Sequence, residues 1–460
     1  MAEVLEKQFT TKKLMQRQDE LVTLARHTLQ CSDADQTQVN IITSDSALTR
    51  FANSEIHQNT YEREANLVVT VRLGQREGRI STNVLTREGA ADTVARAIAA
   101  ARISQPNPDL ADLPTGPYDY PFRVDYHEAT AACTPEERAD LVIKGFEAGE
   151  DKDFNASGIL RTGQLNCVVA NNQGVEAAVH STKARYQVVW GSHNSSGKSE
   201  VEVRNIKDID IEEHSTKAYA IAKKSQNPRN DIDAGRYTVV LGPNCISTML
   251  GFIARLGFSG RRYNDGASFM CGRMGQPITG NQITITDDPL DERTLGLPFD
   301  NAGVPRQRIT LVESGVARAV VHDANTAKRA GTVSTGHDNG MRYPVPSNLV
   351  MNPGISETAD LIAGVERGIF VSNFHYTNVV DPMAAVITGM TRDGTFLIED
   401  GKLTSGLTNF RFTQNVLEAF ANVTGMGSEL LYMPAFWGAG ALVPESMRVD
   451  NFNFSGKTDF

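Results

Sequence analysis

Apolar positions recur along this chain with two different periods, and the switches between them mark out its elements. Leu14, Leu21, Ala25 and Thr28 share one helical face and predict a first helix over residues 12–30. Val39 to Ile42 and Ala65 to Val71 read as strands, the second running into a glycine-containing turn at Gly74 to Gly78. Val94, Ile98 and Ala101 restore the helical spacing. Pro106, Pro108, Pro114, Pro117 and Pro121 then break all periodicity, so Gln105 to Pro121 reads as a linker. Thr134-Pro135-Glu136-Glu137 follows with the strongest helix start in the chain. Thr sits at the N-cap, Pro at the first helical position and Glu where it can return a hydrogen bond to the cap, and the helix is expected to run to about Gly149. Strands are expected over Asn166–Ala170, Ala184–Trp190 and Glu200–Val203, and a helix over residues 210–224. Both N-terminal segments thus read as strands with a turn and then a helix, which leaves an internal duplication open.

The polar stretch Ser225 to Gly235 ends this part. Beyond it, Tyr237–Leu241, Gln282–Thr286, Ile309–Val312, Ala317–Val321 and Gly368–Ser372 look extended. One helix over Asn244–Gly257 carries a stripe of Ile246, Met249, Leu250, Ile253 and Leu256. Strands without regular βαβ alternation predict an α+β fold. The division read from the sequence is an N-terminal α/β domain over residues 1–228, with a subdivision near 105–121 left open, and a strand-rich C-terminal domain over residues 229–460.

Composition narrows the function classes. The 460 residues carry a formal net charge of −10, which opposes general binding to a phosphate backbone. Arg255, Arg261, Arg262 and Arg273 form a local basic patch, but no aromatic residues interleave a basic stretch, so ion pairing explains them better than nucleic acid does. No run approaches the roughly 20 apolar residues of a bilayer span, and Met1 to Leu14 has no signal-peptide core. Cys31, Cys133, Cys167, Cys245 and Cys271 are scattered and form no CxxC pair, the usage of a reducing cytoplasm.

Motif chemistry is mostly excluded. The run Gly191 to Lys198 imitates a phosphate loop, but it has five residues between its glycines where four are needed, and a strand follows it; it reads as a hairpin turn. Catalytic zinc needs converging histidines, usually two on one helix. The nearest pair here, His180 and His193, is far too widely spaced, and His127-Glu128 starts like HExxH with Ala131 in place of the second His. No Gly-x-Ser-x-Gly elbow is present. Asp287, Asp288, Asp291 and Glu292 form an acidic cluster that could hold a hard cation but reads better as a solvated turn.

One set of residues is specific. Asp300-Asn-Ala-Gly303-Val-Pro305, Leu311 to Gly315, Asp323, Ala327, Ser334-Thr-Gly336-His337, Asn348 to Gly354, and Gly389 through Gly394 to Gly401-Lys402 together resemble the TldD/PmbA family. The likeness reaches back through Ser268 to Gly275 and, more loosely, over nearly the whole chain. The family also carries the label "modulator of DNA gyrase", which the charge pattern does not support. The resemblance implies dimers and two kinds of subunit. TldD-like subunits use His-Glu-x-x-x-His and a late Cys to hold zinc and hydrolyse peptides; TldE (PmbA)-like subunits lack these ligands. Counted back without gaps from Gly272, the motif falls on Gly251 to Leu256, which puts Gly251 and Leu256 at the histidine positions and Phe252 at the general base. Ala441 to Asp450 holds no Cys. The resemblance therefore implies a TldE-like partner subunit, with no catalytic or metal-ligating residue of its own. Zinc is expected in a TldD-like catalytic partner and unfolded peptide as the substrate. His337 and His375 stand as candidates for lining a substrate cleft. Two rival readings remain: a stand-alone homodimeric peptide-binding or structural protein, and a divergent metallopeptidase using Asp287, Asp288, His337 or His375.

Overall fold

The computed structural model describes residues 18–121, 123–149, 151–341, 343–434 and 440–458. Leu14 and the start of the expected first helix lie outside them; the described helix is Gln18–Gln30, with Leu21, Leu24, Ala25 and Thr28 buried. The N-terminal half is one antiparallel sheet ordered β3-β2-β1-β4-β5-β6. Its strands are β1 (Gln36–Ala52), β2 (Glu55–Leu73), β3 (Arg76–Thr82), β4 (Asn155–Asn171), β5 (Glu176–Gly191) and β6 (Ser196–Val203). Those that were expected run about two to four times longer than their apolar runs suggested, because their outer halves carry polar side chains that the hydrophobic pattern does not register.

The order is symmetric about the β1–β4 pair. Each half is helix, three strands, helix: Gln18–Gln30 and Arg87–Ile103 cover one half, Pro135–Phe146 and Ile211–Lys224 the other. The first pair of helices closes a core of Leu21, Val39, Val69 and Val94, the second a core of Val142, Tyr186, Trp190 and Ala218. Even the closest helix–strand approach repeats. A Cβ at Gly78 on β3 would lie 2.1 Å from the Ala97 carbonyl oxygen, and one at Gly197 on β6 would lie 2.2 Å from that of Ala218, so only glycine fits at either place. The duplication left open by the sequence is present in the fold. The Thr134–Glu137 capping box forms as expected, and the Gly191 to Lys198 run is the β5–β6 hairpin.

Residues 105–121 are not a free linker. They form an extended strap with Leu110, Ala111 and Leu113 buried. The strap is tied to the C-terminal half by the Ala111 N–H donating to Asn325 Oδ1 and by Lys328 Nζ donating to the Leu110 carbonyl.

From β7 (Arg236–Leu241) onward two sheets form. In the larger, β12 (Arg367–Asp381), β7, β19 (Met447–Lys457), β15 (Phe410–Asn415) and β13 (Val386–Glu399) pair in turn, and β13 pairs back onto β12 to close the circuit. β14 (Lys402–Gly406) extends it from β13 and β16 (Val423–Met426) from β19. The smaller sheet runs β10-β9-β8-β11-β18-β17: β8 (Ile285–Asp287), β9 (Ile309–Glu313), β10 (Val316–Ala317), β11 (Leu349–Met351), β17 (Leu430–Met433) and β18 (Ala441–Pro444). Two expected strands are shorter than read. Residues 318–321 leave the ladder as Arg318 and Ala319 both turn their N–H groups to the Leu311 carbonyl, and Ile283 closes a turn onto Gly280 before β8 begins.

The helix Pro243–Gly257 connects these sheets. Ile246, Met249, Leu250 and Ile253 are wholly buried, as is nearly all of Leu256, in a core shared by both sheets. This is the α+β architecture with a strand-rich C-terminal half. Leu250→Ala is expected to lower stability by about 2–5 kcal/mol, through lost burial and the cavity left behind. Chemical denaturation of the variant checks this, and an unchanged midpoint would place the stripe on the surface.

Candidate functional site

The helix Pro243–Gly257 places the motif-equivalent positions on different sides. Leu256 points into the core, Phe252 is half-buried against its edge, and Gly251 is half-exposed with nothing within 4 Å of where a Cβ would stand. Hydrogen, phenyl and isobutyl offer no lone pair, so this set does not fit a zinc ion. Among the described residues, no three His, Cys, Asp or Glu side chains are grouped so as to hold a metal.

Charge instead gathers at the N-terminal end of this helix. On β6, Lys198, Glu200 and Glu202 alternate onto one face, beside Lys183 and Arg185 of β5. Glu200 is nearly sealed from solvent. Its Oε1 accepts from Lys198 Nζ at 2.7 Å and from Asn244 Nδ2 at 2.8 Å, and its Oε2 accepts from Arg185 Nη2 at 2.8 Å. Burial would raise the Glu200 carboxyl, but Lys198 and Arg185 outweigh it and hold the group below its usual range. Asn244 belongs to the helix, so this carboxylate pins the N-terminal sheet to the element that carries Gly251. A second buried pair joins the N-terminal half to a loop of the C-terminal half: Arg204 Nη2 meets Asp125 Oδ1 at 2.8 Å and also donates to the Gly296 carbonyl. The apolar period search passed over Glu200; the alternation of Lys198, Glu200 and Glu202 was the available signal.

His375 lies on β12 at the edge of the first cluster, its ring 5.2 Å from that of Tyr376. Partial burial, together with Arg392 and Lys198, holds its imidazole below the usual value. His337 is elsewhere and closed to solvent. Its Nε2 is 2.6 Å from Asp287 Oδ2, and its Nδ1 is 2.9 Å from Thr335 Oγ1. The structure does not bring the two histidines together, and His337 lines no open cleft. The acidic cluster also separates. Asp287 is not solvated: β8 turns it inward, where its Oδ1 accepts the N–H groups of Ser347 and Asn348. Asp288 pairs with Arg308 and Asp291 with Arg293. Burial alone would raise the Asp287 carboxyl, but His337, Arg306 and the Asn348 N–H hold it below its ordinary value.

Comparison with known proteins agrees with this architecture. Residues 234–456 match the PmbA/TldA metallopeptidase C-terminal domain, and residues 39–101 match PmbA/TldA metallopeptidase domain 1. The solved TldE of Thermococcus kodakarensis superposes with a TM-score of 0.85 at 20% identity, covering 95% of this chain and 100% of that one. The Metalloprotease PmbA of Escherichia coli is 21% identical over 428 residues, 90% of this chain and 92% of its own length. A Metalloprotease TldD homolog of Buchnera aphidicola is 27% identical over 230 residues, 49% of this chain and 47% of its own. The chain thus spans about half the length of that TldD-type relative and nearly all of the PmbA-type one. It belongs to the TldD/PmbA metallopeptidase family.

Two substitutions test the local geometry. Gly251→Ala meets open space on a helix and is expected to stabilise by about 0.5–1 kcal/mol; a loss on thermal melting would mean that the site is crowded. Asp287→Asn is expected to cost about 1–3 kcal/mol, because an uncharged amide replaces the buried carboxylate that His337 and the Ser347 and Asn348 N–H groups bond. Because the Asp287 carboxyl is depressed in the fold, its contribution is present above the ordinary carboxylate range and fades as pH falls through and below it. Acid titration of stability in both proteins checks this: the gap between them should narrow at low pH.

Proposed function

We propose that this chain is a TldE-like partner subunit that completes a TldD-type zinc peptidase acting on unfolded or precursor peptides. The reading rests on the helix Pro243–Gly257, packed in the core, together with the family resemblance that sets its Gly251, Phe252 and Leu256 at the metal-ligand and general-base positions. Metal-assisted hydrolysis requires a polarised water and a group to take its proton. None of these three side chains supplies either role. The names of the relatives support the class, and the TldE structure supports the subunit type by overall form.

Under this reading the work of the chain is to shape a chamber shared with its partner. The preserved scaffold serves that role without zinc chemistry of its own. The test mixes the purified protein with a TldD-like subunit from the same genome, then follows complex formation by size-exclusion chromatography and cleavage of an unfolded peptide. The expected result is a stable mixed complex with zinc-dependent cleavage, and no cleavage by this chain alone. Cleavage by this chain alone would favour the divergent peptidase, and failure to bind the partner would favour the stand-alone homodimer.

A further inference from the structure

The sheet, the strap and the C-terminal half enclose a cavity of about 640 Å³, lined among others by Gln38, Arg79, Asn301, Asp323, Asp338 and Gly340. One turn closes it. Asp300 Oδ1 accepts the N–H groups of Ala302 and Val304, each at 2.9 Å, and so folds residues 300–304 into a tight loop. Its Oδ2 accepts the Asp338 N–H at 2.9 Å and holds the 338–341 loop against that turn.

The turn is also where the two halves meet. The Asn301 carbonyl accepts from Gln38 Nε2 at 3.0 Å and Asn40 Nδ2 at 2.6 Å, both on β1. Tyr120 of the strap donates to the Gly303 carbonyl at 2.6 Å, and Arg79 of β3 donates to the Gly340 carbonyl at 3.0 Å. Gly303 has φ +76°, and a Cβ there would lie 2.5 Å from Val175 Cγ1, so the turn fits flush on the β4–β5 hairpin.

We propose that Asp300 and Asp338 form a pH-responsive latch between the two halves, closed while the pair holds one proton and released when both carboxyls ionise. Asp300 is buried and Asp338 largely so, the carboxylate of Asp300 held on the backbone N–H of Asp338; two like charges held together in this way are costly to form at once, and such a pair titrates as a unit. Asp300 accepts three N–H bonds and is the better anion. Asp338 Oδ1 accepts the Gly340 N–H, one backbone bond against the three on Asp300, so the shared proton favours Asp338. The charged and titratable groups around the pair are Arg306, Tyr118 and Tyr120 toward Asp300, and Arg79 and Asp323 toward Asp338, with the Asp287–His337 pair behind. Burial first, and then Asp338, push the Asp300 carboxyl up to about 7; burial and Asp323 also raise Asp338. Carboxyls held above their solvated values favour the closed state while protonated, so closure weakens as pH rises through neutrality.

Hydrogen exchange of the intact protein, read by mass spectrometry at about pH 6 and about pH 8.5 and corrected for intrinsic rates, tests this. Peptides covering 300–304, 336–341 and the strap are expected to lose protection about tenfold or more at the higher pH. Asp338→Asn keeps an acceptor for the Gly340 N–H and removes one charge, so it should stay protected at both. Asp323→Asn, a conservative helix-cap change, removes a like charge beside Asp338 and should move the transition to lower pH; a transition left in place or moved upward would count against the latch. Protection independent of pH in the unaltered protein, or an undiminished pH effect in Asp338→Asn, would overturn the proposal.

Discussion

Burial of one apolar helical stripe organises the C-terminal half. The helix Pro243–Gly257 has side chains from Cys245 to Leu256 inside a core to which both the closed circuit of strands and the smaller sheet contribute. Each such side chain removes on the order of 1.5–3 kcal/mol of apolar exposure from water. Covering that stripe fixes the position of the helix by packing. Packing of this kind asks nothing of the Gly251, Phe252 and Leu256 side chains beyond volume and shape.

The N-terminal sheet is placed on that core by polar contacts. Glu200 ties β6 to Asn244, Arg204 ties its end to Gly296, and Asn301 receives Gln38 and Asn40 from β1. Breaking one partner of a buried charged set costs more than the set contributes when whole, because the remaining charge is stranded without water. Such contacts fix register more than they add stability. They make the interface between the halves specific, and at Asp300 they make it responsive to protonation.

The helices were readable because their signals are local: a capping box at Thr134 and an apolar stripe at Ile246 to Leu256 both survive into the structure. The N-terminal strands were read in place but too short, since β2 continues through the polar run Glu55 to Asn66 by pairing along β1 and not by burying side chains. Asp287 and His337 were read apart, as a solvated turn and a cleft residue. Only the convergence of β8 with the 335–338 and 347–348 loops makes them one buried pair, and that convergence is non-local. Gly251 has open surroundings, and these depend on packing that no spacing rule reports.

The account turns on whether this chain holds metal by itself. Elemental analysis of the isolated protein, expressed with added zinc and dialysed against a mild chelator, is the direct measurement. Scattered single ligands bind zinc weakly, so the account predicts zinc far below one per chain. Stoichiometric zinc that survives the chelator would contradict it.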